Sequence, residues 1–229
     1  MNKIAISCRG IKKSYGQDEA RVDALKGIDL DIYIGQLTML EGPSGSGKST
    51  LLSIITTILT PDAGELYLLG QEMLHISNDE RAKFCLNNLG VVFQSLFLIP
   101  TLTVAENVSL PLLVAGFRPK EAHEKAMETL KKMKIENRSN VSPMDLSKGQ
   151  QQKVAISRAI INESKILVCD EPTSALDQYA GHETLEILKE LSKQSSKAVL
   201  VVTHDHRIFS FADRIISIND GLIMPGSTV

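Results

Sequence analysis

The sequence predicts an α/β domain with a mostly parallel sheet, antiparallel strands at its N-terminal end and a helical unit inserted into it. Two continuous apolar runs of strand length, at residues 166–169 and 198–202, lack polar alternation, as strands covered on both faces do. Helical stripes separate the strand-like runs, so strand and helix alternate along the chain. Between about residues 95 and 160 the pattern turns helical, which places the insertion there. A length of 229 residues suits one domain spanning 1–229, and neither an internal repeat nor a linker-like stretch interrupts it.

Each element has its own signal. Ile4, Ile6 and Cys8 alternate with polar residues, and Leu37-Thr38-Met39-Leu40 continues the short-strand pattern. A glycine-rich loop follows. From Lys48 to Leu59, the residues Leu51, Leu52, Ile54, Ile55, Ile58 and Leu59 form one face of a helix, which Pro61-Asp62-Ala63-Gly64 should stop. Residues 65–70 and 90–93 read as strands, and Ala122, Ala126, Leu130 and Met133 supply the stripe of a helix in the insertion. Leu185, Leu188 and Leu191 mark another helix, and Asn219-Asp220-Gly221 reads as the turn of a final hairpin.

Composition excludes several function classes. Hydrophobic residues at 43% and charged residues at 23% rule out a disordered chain. With 25 basic and 27 acidic residues the net charge is −2, and no basic block exceeds a pair such as Lys12-Lys13 or Lys131-Lys132. A nucleic-acid partner is therefore not expected. Cys8, Cys85 and Cys169 have no C-x-x-C spacing, which argues against a disulfide framework or a zinc site and fits a reducing compartment. The N-terminal apolar run is too broken for a signal peptide. The stretch from Leu51 to Leu59 is far short of the about 18 residues that span a bilayer, so membrane attachment would need another protein segment.

Gly42-Pro43-Ser44-Gly45-Ser46-Gly47-Lys48-Ser49-Thr50 matches G-x-x-x-x-G-K-[ST] between a predicted strand and an amphipathic helix. Glycines let successive backbone N–H groups turn toward a β-phosphate, and the helix N-terminus adds partial positive charge. Lys48 is placed to reach β- and γ-phosphates, and Ser49 offers a hydroxyl to Mg²⁺. The chain is thus read as a P-loop nucleoside triphosphatase. Ile166-Leu167-Val168-Cys169-Asp170-Glu171 delivers two carboxylates at the end of a buried strand, the edge where an open α/β sheet binds ligands. Asp170 would hold Mg²⁺ through water, or cap the following helix. Glu171 would polarise an attacking water.

Leu146-Ser147-Lys148-Gly149-Gln150-Gln151-Gln152-Lys153-Val154 resembles the signature of ATP-binding cassette (ABC) proteins. Their other motifs follow in order: Tyr15 in Lys-Ser-Tyr-Gly, Gln94 after Val-Val-Phe, Asp177 in Ser-Ala-Leu-Asp, and His204 after Val-Val-Thr. The resemblance spans nearly the whole chain and implies the ABC ATPase architecture. It implies ATP and Mg²⁺ as ligands, with Tyr15 offering its ring to adenine and Gln94 joining Ser49 and Asp170 around the metal. It also implies that Glu171 and His204 act with Lys48 in hydrolysis. Ser147 with Gln150 is equally a capping box, and both readings are compatible, since a capped helix start keeps free N–H groups. In the family that end, here Ser147, Lys148, Gly149 and Gln150, faces the γ-phosphate on a second subunit, with Asp177 near the same interface. A homodimer sandwiching two ATP follows. Lys148 departs from the usual glycine; its side chain either points to solvent or adds positive charge near the nucleotide.

The segment Leu98-Ile-Pro-Thr-Leu-Thr-Val-Ala-Glu-Asn-Val108 looks like that of bacterial ATPases serving lipoprotein release, macrolide efflux and glycolipid export. The expectation is an ATP-hydrolysing subunit of an exporter at the cytoplasmic face of the inner membrane. It would be held there by an integral membrane permease subunit that contacts the helical unit. A cassette acting in membrane signalling or on nucleic acid is the alternative. Leu96, Phe97, Leu98 and Ile99 either form a groove for a membrane partner or fill the core of the insertion.

Overall fold

The computed structural model describes residues 3–194 and 197–225. Strands β1 (Ile4–Tyr15) and β2 (Val22–Tyr33) pair antiparallel, and β4 (Ala63–Leu68) and β5 (Gln71–Glu72) extend that sheet in the order β2-β1-β4-β5. A second sheet has the order β10-β9-β3-β8-β7-β6, from β3 (Leu37–Glu41), β6 (Leu89–Val92), β7 (Ile166–Asp170), β8 (Ala198–Val202), β9 (Arg214–Asn219) and β10 (Leu222–Ile223). All its neighbours pair in parallel except β10 with β9.

The apolar runs of β7 and β8 divide between two cores, because successive strand side chains point to opposite faces. Leu167, Cys169, Val199 and Val201 join the core that includes Val108 of α3 (Val104–Val114), Val154 of α5 (Lys148–Ile160) and Leu185 of α6 (Gln178–Gln194). Ile166, Val168, Ala198, Leu200 and Val202 face Ile54 of α1 (Lys48–Ile55) and Ile6, Ile28 and Leu66 of the antiparallel sheet. Burial on both sides explains why neither run alternates in polarity. Leu200 is fully buried at the centre of β8, so Leu200→Ala should cost about 2–5 kcal/mol in urea unfolding. A loss below about 1 kcal/mol would mean that the site collapses around the missing atoms.

Two helices depart from the sequence reading. Helix α1 ends at Ile55, not Leu59: Thr57 takes φ 62°, and the N–H groups of Ile58 and Leu59 both donate to Ser53 O, at 2.9 and 3.0 Å. Thr56 Oγ1 donates to Leu52 O at 2.9 Å within the last turn, and Ile58 leaves the apolar face to stand 65% exposed. Helix α2 (Asn78–Asn88) has no buried residue and therefore no apolar stripe to detect. Its signal was the capping box: Ser77 N donates to Glu80 Oε2 at 3.0 Å and Glu80 N to Ser77 Oγ at 3.3 Å. The stripe Ala122, Ala126 and Leu130 is buried on α4 (Pro119–Lys132), with Met133 just beyond its end. The final hairpin turns through Asp220 and Gly221, with φ of 46° and 72°, as a tight two-residue hairpin turn requires.

Among the described residues no helix is long and apolar enough to cross a membrane.

Candidate active site

Strands β3, β7 and β8 run in parallel, so their carboxyl ends open on one edge of the sheet. There Gly42, Pro43, Ser44, Gly45, Gly47, Lys48, Ser49, Thr50, Gln94, Asp170, Glu171 and His204 line one cleft of about 810 Å³. Residues far apart in sequence are thus gathered by the strand order.

The loop between β3 and α1 tolerates no side chain at two of its glycines. A Cβ on Gly42 would lie 2.1 Å from Ile218 O, and one on Gly47, at φ 104°, would lie 2.6 Å from Ala24 O. Ser46 is buried behind the loop, where its carbonyl accepts from Gly221 N at 3.0 Å. The terminal hairpin therefore braces the loop from below. Gly47 offers α1 no side-chain cap, which leaves the first backbone N–H groups of that helix available to an anion. Lys48 Nζ lies across the loop, donating to Gly42 O at 2.7 Å and Pro43 O at 2.8 Å.

Opposite the loop stand the carboxylates. Burial, then the neighbouring charge of Glu171, pushes the carboxyl of Asp170 above the usual range, while Lys48 pulls it back. Glu171 follows β7 at φ 47°, an uncommon conformation for a residue with a side chain. Glu171 N donates to Val202 O at 2.9 Å, and Glu171 O accepts from Ser174 Oγ at 3.0 Å, which holds that turn. Its Oε1 lies 2.6 Å from His204 Nδ1, and Thr203 Oγ1 donates to Oε2 at 3.4 Å. The glutamate side chain is 13% exposed and the histidine 70%. The sequence reading missed Thr203, which adjoins His204, and also Glu41 and His206, which line the cleft. No local pattern marks Glu41 or His206.

The remaining predicted site residues lie elsewhere. Tyr15 ends β1 half exposed, outside the cleft lining. Ser147 caps α5: its Oγ accepts from Gln150 N at 3.3 Å, while Ser147 N donates to Gln150 Oε1 at 3.1 Å. The first turn of α5 holds no acidic residue, so the positive end of the helix is left uncompensated. Lys148 is exposed, and its Nζ donates to Gln151 Oε1 at 3.3 Å. Gly149 faces α6, and Asp177 Oδ1 accepts from Ala180 N at 2.9 Å at the start of that helix. The capped start of α5 thus lies outside the cleft lining, although Lys148 shares a smaller adjoining pocket of about 120 Å³ with Gln94 and Glu171.

After Gln94 the chain takes two consecutive left-handed residues, Leu96 at φ 55° and Phe97 at φ 46°. Arg158 of α5 donates to both of their carbonyls, at 2.7 Å for Phe97 O, and burial pushes its guanidinium pKa down. Of the four apolar residues in this segment, Leu96 and Leu98 pack on the core, whereas Phe97 and Ile99 are exposed. Arg158 also lines a groove of about 360 Å³ with Ile58, Leu86, Leu89, Val91 and Pro111.

Residues 25–174 match the ABC transporter family. The chain is 42% identical over 225 residues to the pyoverdine export ATP-binding/permease protein PvdT of Pseudomonas fluorescens, covering 98% of this chain and 34% of that protein. It is 39% identical over 227 residues to the macrolide export ATP-binding/permease protein MacB of Photorhabdus laumondii, covering 99% of this chain and 35% of that one. The chain therefore spans about a third of the length of these export relatives. The ABC transporter ATP-binding protein MJ0796 of Methanocaldococcus jannaschii is 41% identical over 220 residues, with 94% of each chain covered. A solved dimeric structure of MJ0796, in a post-hydrolysis state bound to ADP and Pi, superposes with a TM-score of 0.87 at 39% identity, covering 95% of this chain and 96% of that one. By its motifs, its two-sheet architecture and these matches, the chain belongs to the ABC transporter family, as an ATPase cassette.

Proposed function

We propose that the chain powers an exporter: two copies close on two ATP molecules, and hydrolysis with phosphate release reopens them. The placement of the capped start of α5 outside the cleft lining carries this reading; of residues 147–150 only Lys148 lines a pocket that Gln94 and Glu171 share. The cleft holds the phosphate loop and the carboxylates, while the capped end of α5 lies outside it with an uncompensated helix dipole. A second copy would bring that end, with Ser147, Lys148, Gly149 and Gln150, to the γ-phosphate, and Asp177 would sit at the seam between the two sites. The dimeric relative bound to ADP and Pi is a precedent.

Within each cleft, the loop from Gly42 to Gly47 would wrap the β-phosphate, with Lys48 leaving its carbonyl partners for the β- and γ-phosphate oxygens. Tyr15 would lie against adenine. Glu171 would accept a proton from the attacking water, and His204 would hold the glutamate and approach the γ-phosphate. Ser49, Gln94 and Asp170 supply hard oxygen donors in one cleft, a set that fits Mg²⁺. The raised Asp170 carboxyl fits as well, because a nearby cation offsets both burial and the Glu171 charge. When bound, Mg²⁺ would neutralise charge on the phosphates.

Residues 95–160 would act as one helical unit that carries the motion to an integral membrane permease part, docked near Phe97 and Ile99. The export relatives favour outward transport, with the cassette peripheral at the cytoplasmic face of the inner membrane. Phosphate release should rise with the square of protein concentration at high dilution, where dimer formation limits the rate. A strictly linear dependence down to nanomolar protein would overturn the dimeric scheme.

A further inference from the structure

The end of α5 that carries Ser147 and the start of α6 that follows Asp177 are fastened to each other. Lys153 Nζ donates to Glu183 Oε1 at 2.7 Å, with 14% of the lysine side chain and 36% of the glutamate side chain exposed. Among the described residues this is the only ion pair of Lys153, so a mostly buried ammonium depends on Glu183 for its counter-charge. One turn nearer the start of α5, a Cβ on Gly149 would stand 3.0 Å from Ala180 Cβ. The two helices touch there. Ala180 N is the group that Asp177 Oδ1 accepts from, at 2.9 Å, and Ala180 O accepts from Thr184 Oγ1 at 2.8 Å. A continuous chain of contacts runs from Gly149 through Ala180 to Asp177, and the Lys153–Glu183 pair closes it one turn further on.

We propose that Lys153 and Glu183 are positioning residues, which lock the Ser147–Gln150 end and the Asp177 segment into one rigid face for a second copy of the chain. This rests on the dimeric reading above. Neither residue lines the nucleotide cleft, so the pair governs how two loaded copies meet and not how one copy binds ATP. If α5 tilted against α6, the two parts of the face would have to be ordered separately during closure, and closure would weaken.

The test uses the Glu171→Gln chain, which the mechanism above makes slow to hydrolyse, in analytical ultracentrifugation with Mg²⁺ and ATP. Lys153→Met in that chain should raise the dimer dissociation constant about tenfold, since the pair occurs twice in a symmetric dimer and each copy contributes about threefold. Binding of a fluorescent ATP analogue by the monomer should stay within about twofold. The exchanged pair, Lys153→Glu with Glu183→Lys, should recover most of the dimerisation, which a generally weakened fold would not. The inference fails if Lys153→Met dimerises like its parent, if monomer ATP binding falls in step with dimerisation, or if the exchanged pair restores nothing. If the Glu171→Gln parent itself stays monomeric with saturating ATP, the dimeric reading fails first and this inference falls with it.

Discussion

Glu171→Gln is expected to lower ATP turnover by about 10²–10⁴-fold while ATP is still bound and the dimer accumulates. The change keeps the shape of a side chain that is 13% exposed and removes only its charge and basicity. A glutamine oxygen still accepts a hydrogen bond from Thr203 Oγ1, but it takes up no proton from a water attacking the γ-phosphate. Its neighbour should respond too, since the Glu171 charge is one cause of the raised Asp170 carboxyl. With that charge gone, Asp170 should ionise more readily, which favours a bound cation and leaves nucleotide affinity intact. Phosphate release under single-turnover conditions, together with equilibrium ATP binding, separates the effects. Turnover within about twofold of the parent would remove Glu171 from proton transfer.

Lys48→Ala acts at the other wall of the cleft and on a different quantity. Here ATP affinity should fall between about tenfold and a hundredfold, the worth of a charge-assisted hydrogen bond to phosphate. The fold should survive, because the carbonyls of Gly42 and Pro43 that Lys48 now satisfies lie beside the open cleft and can turn to water. Arginine is expected to be a poor substitute, since its guanidinium is a wide planar fork where Lys48 brings a compact ammonium to both loop carbonyls. Calorimetric titration with a non-hydrolysable ATP analogue reads this directly. Unchanged affinity would contradict the assignment of Lys48 to the phosphates.

Much of the cleft lining was legible in the sequence, because its residues lie in short contiguous strings. Gly42 to Thr50 must be contiguous if consecutive backbone N–H groups are to cradle a phosphate, and Asp170-Glu171 must follow an uninterrupted apolar run to reach the sheet edge. Ser147 and Gln150 are three residues apart for the equally local reason that a capping box closes over one turn, and it closes here as expected. Apolar periodicity failed at two helices. The apolar face of α1 seemed to run through Ile58, yet Thr56 and Thr57 turn the chain away before it. Helix α2 went undetected because it buries no residue, although Ser77 and Glu80 announced its start.

The linear order of residues was enough to place the chain in its family and to name the groups proposed here to meet phosphate, metal and water. Each depends on neighbours within a turn or a strand, at separations that bond geometry sets. Folding in three dimensions was needed to learn that Gly221 supports the loop through Ser46, that Arg158 holds Leu96 and Phe97, and that Lys153 finds Glu183 on another helix. Those pairs are joined by packing across long loops, where many registers are sterically open to the chain and only the assembled core selects one.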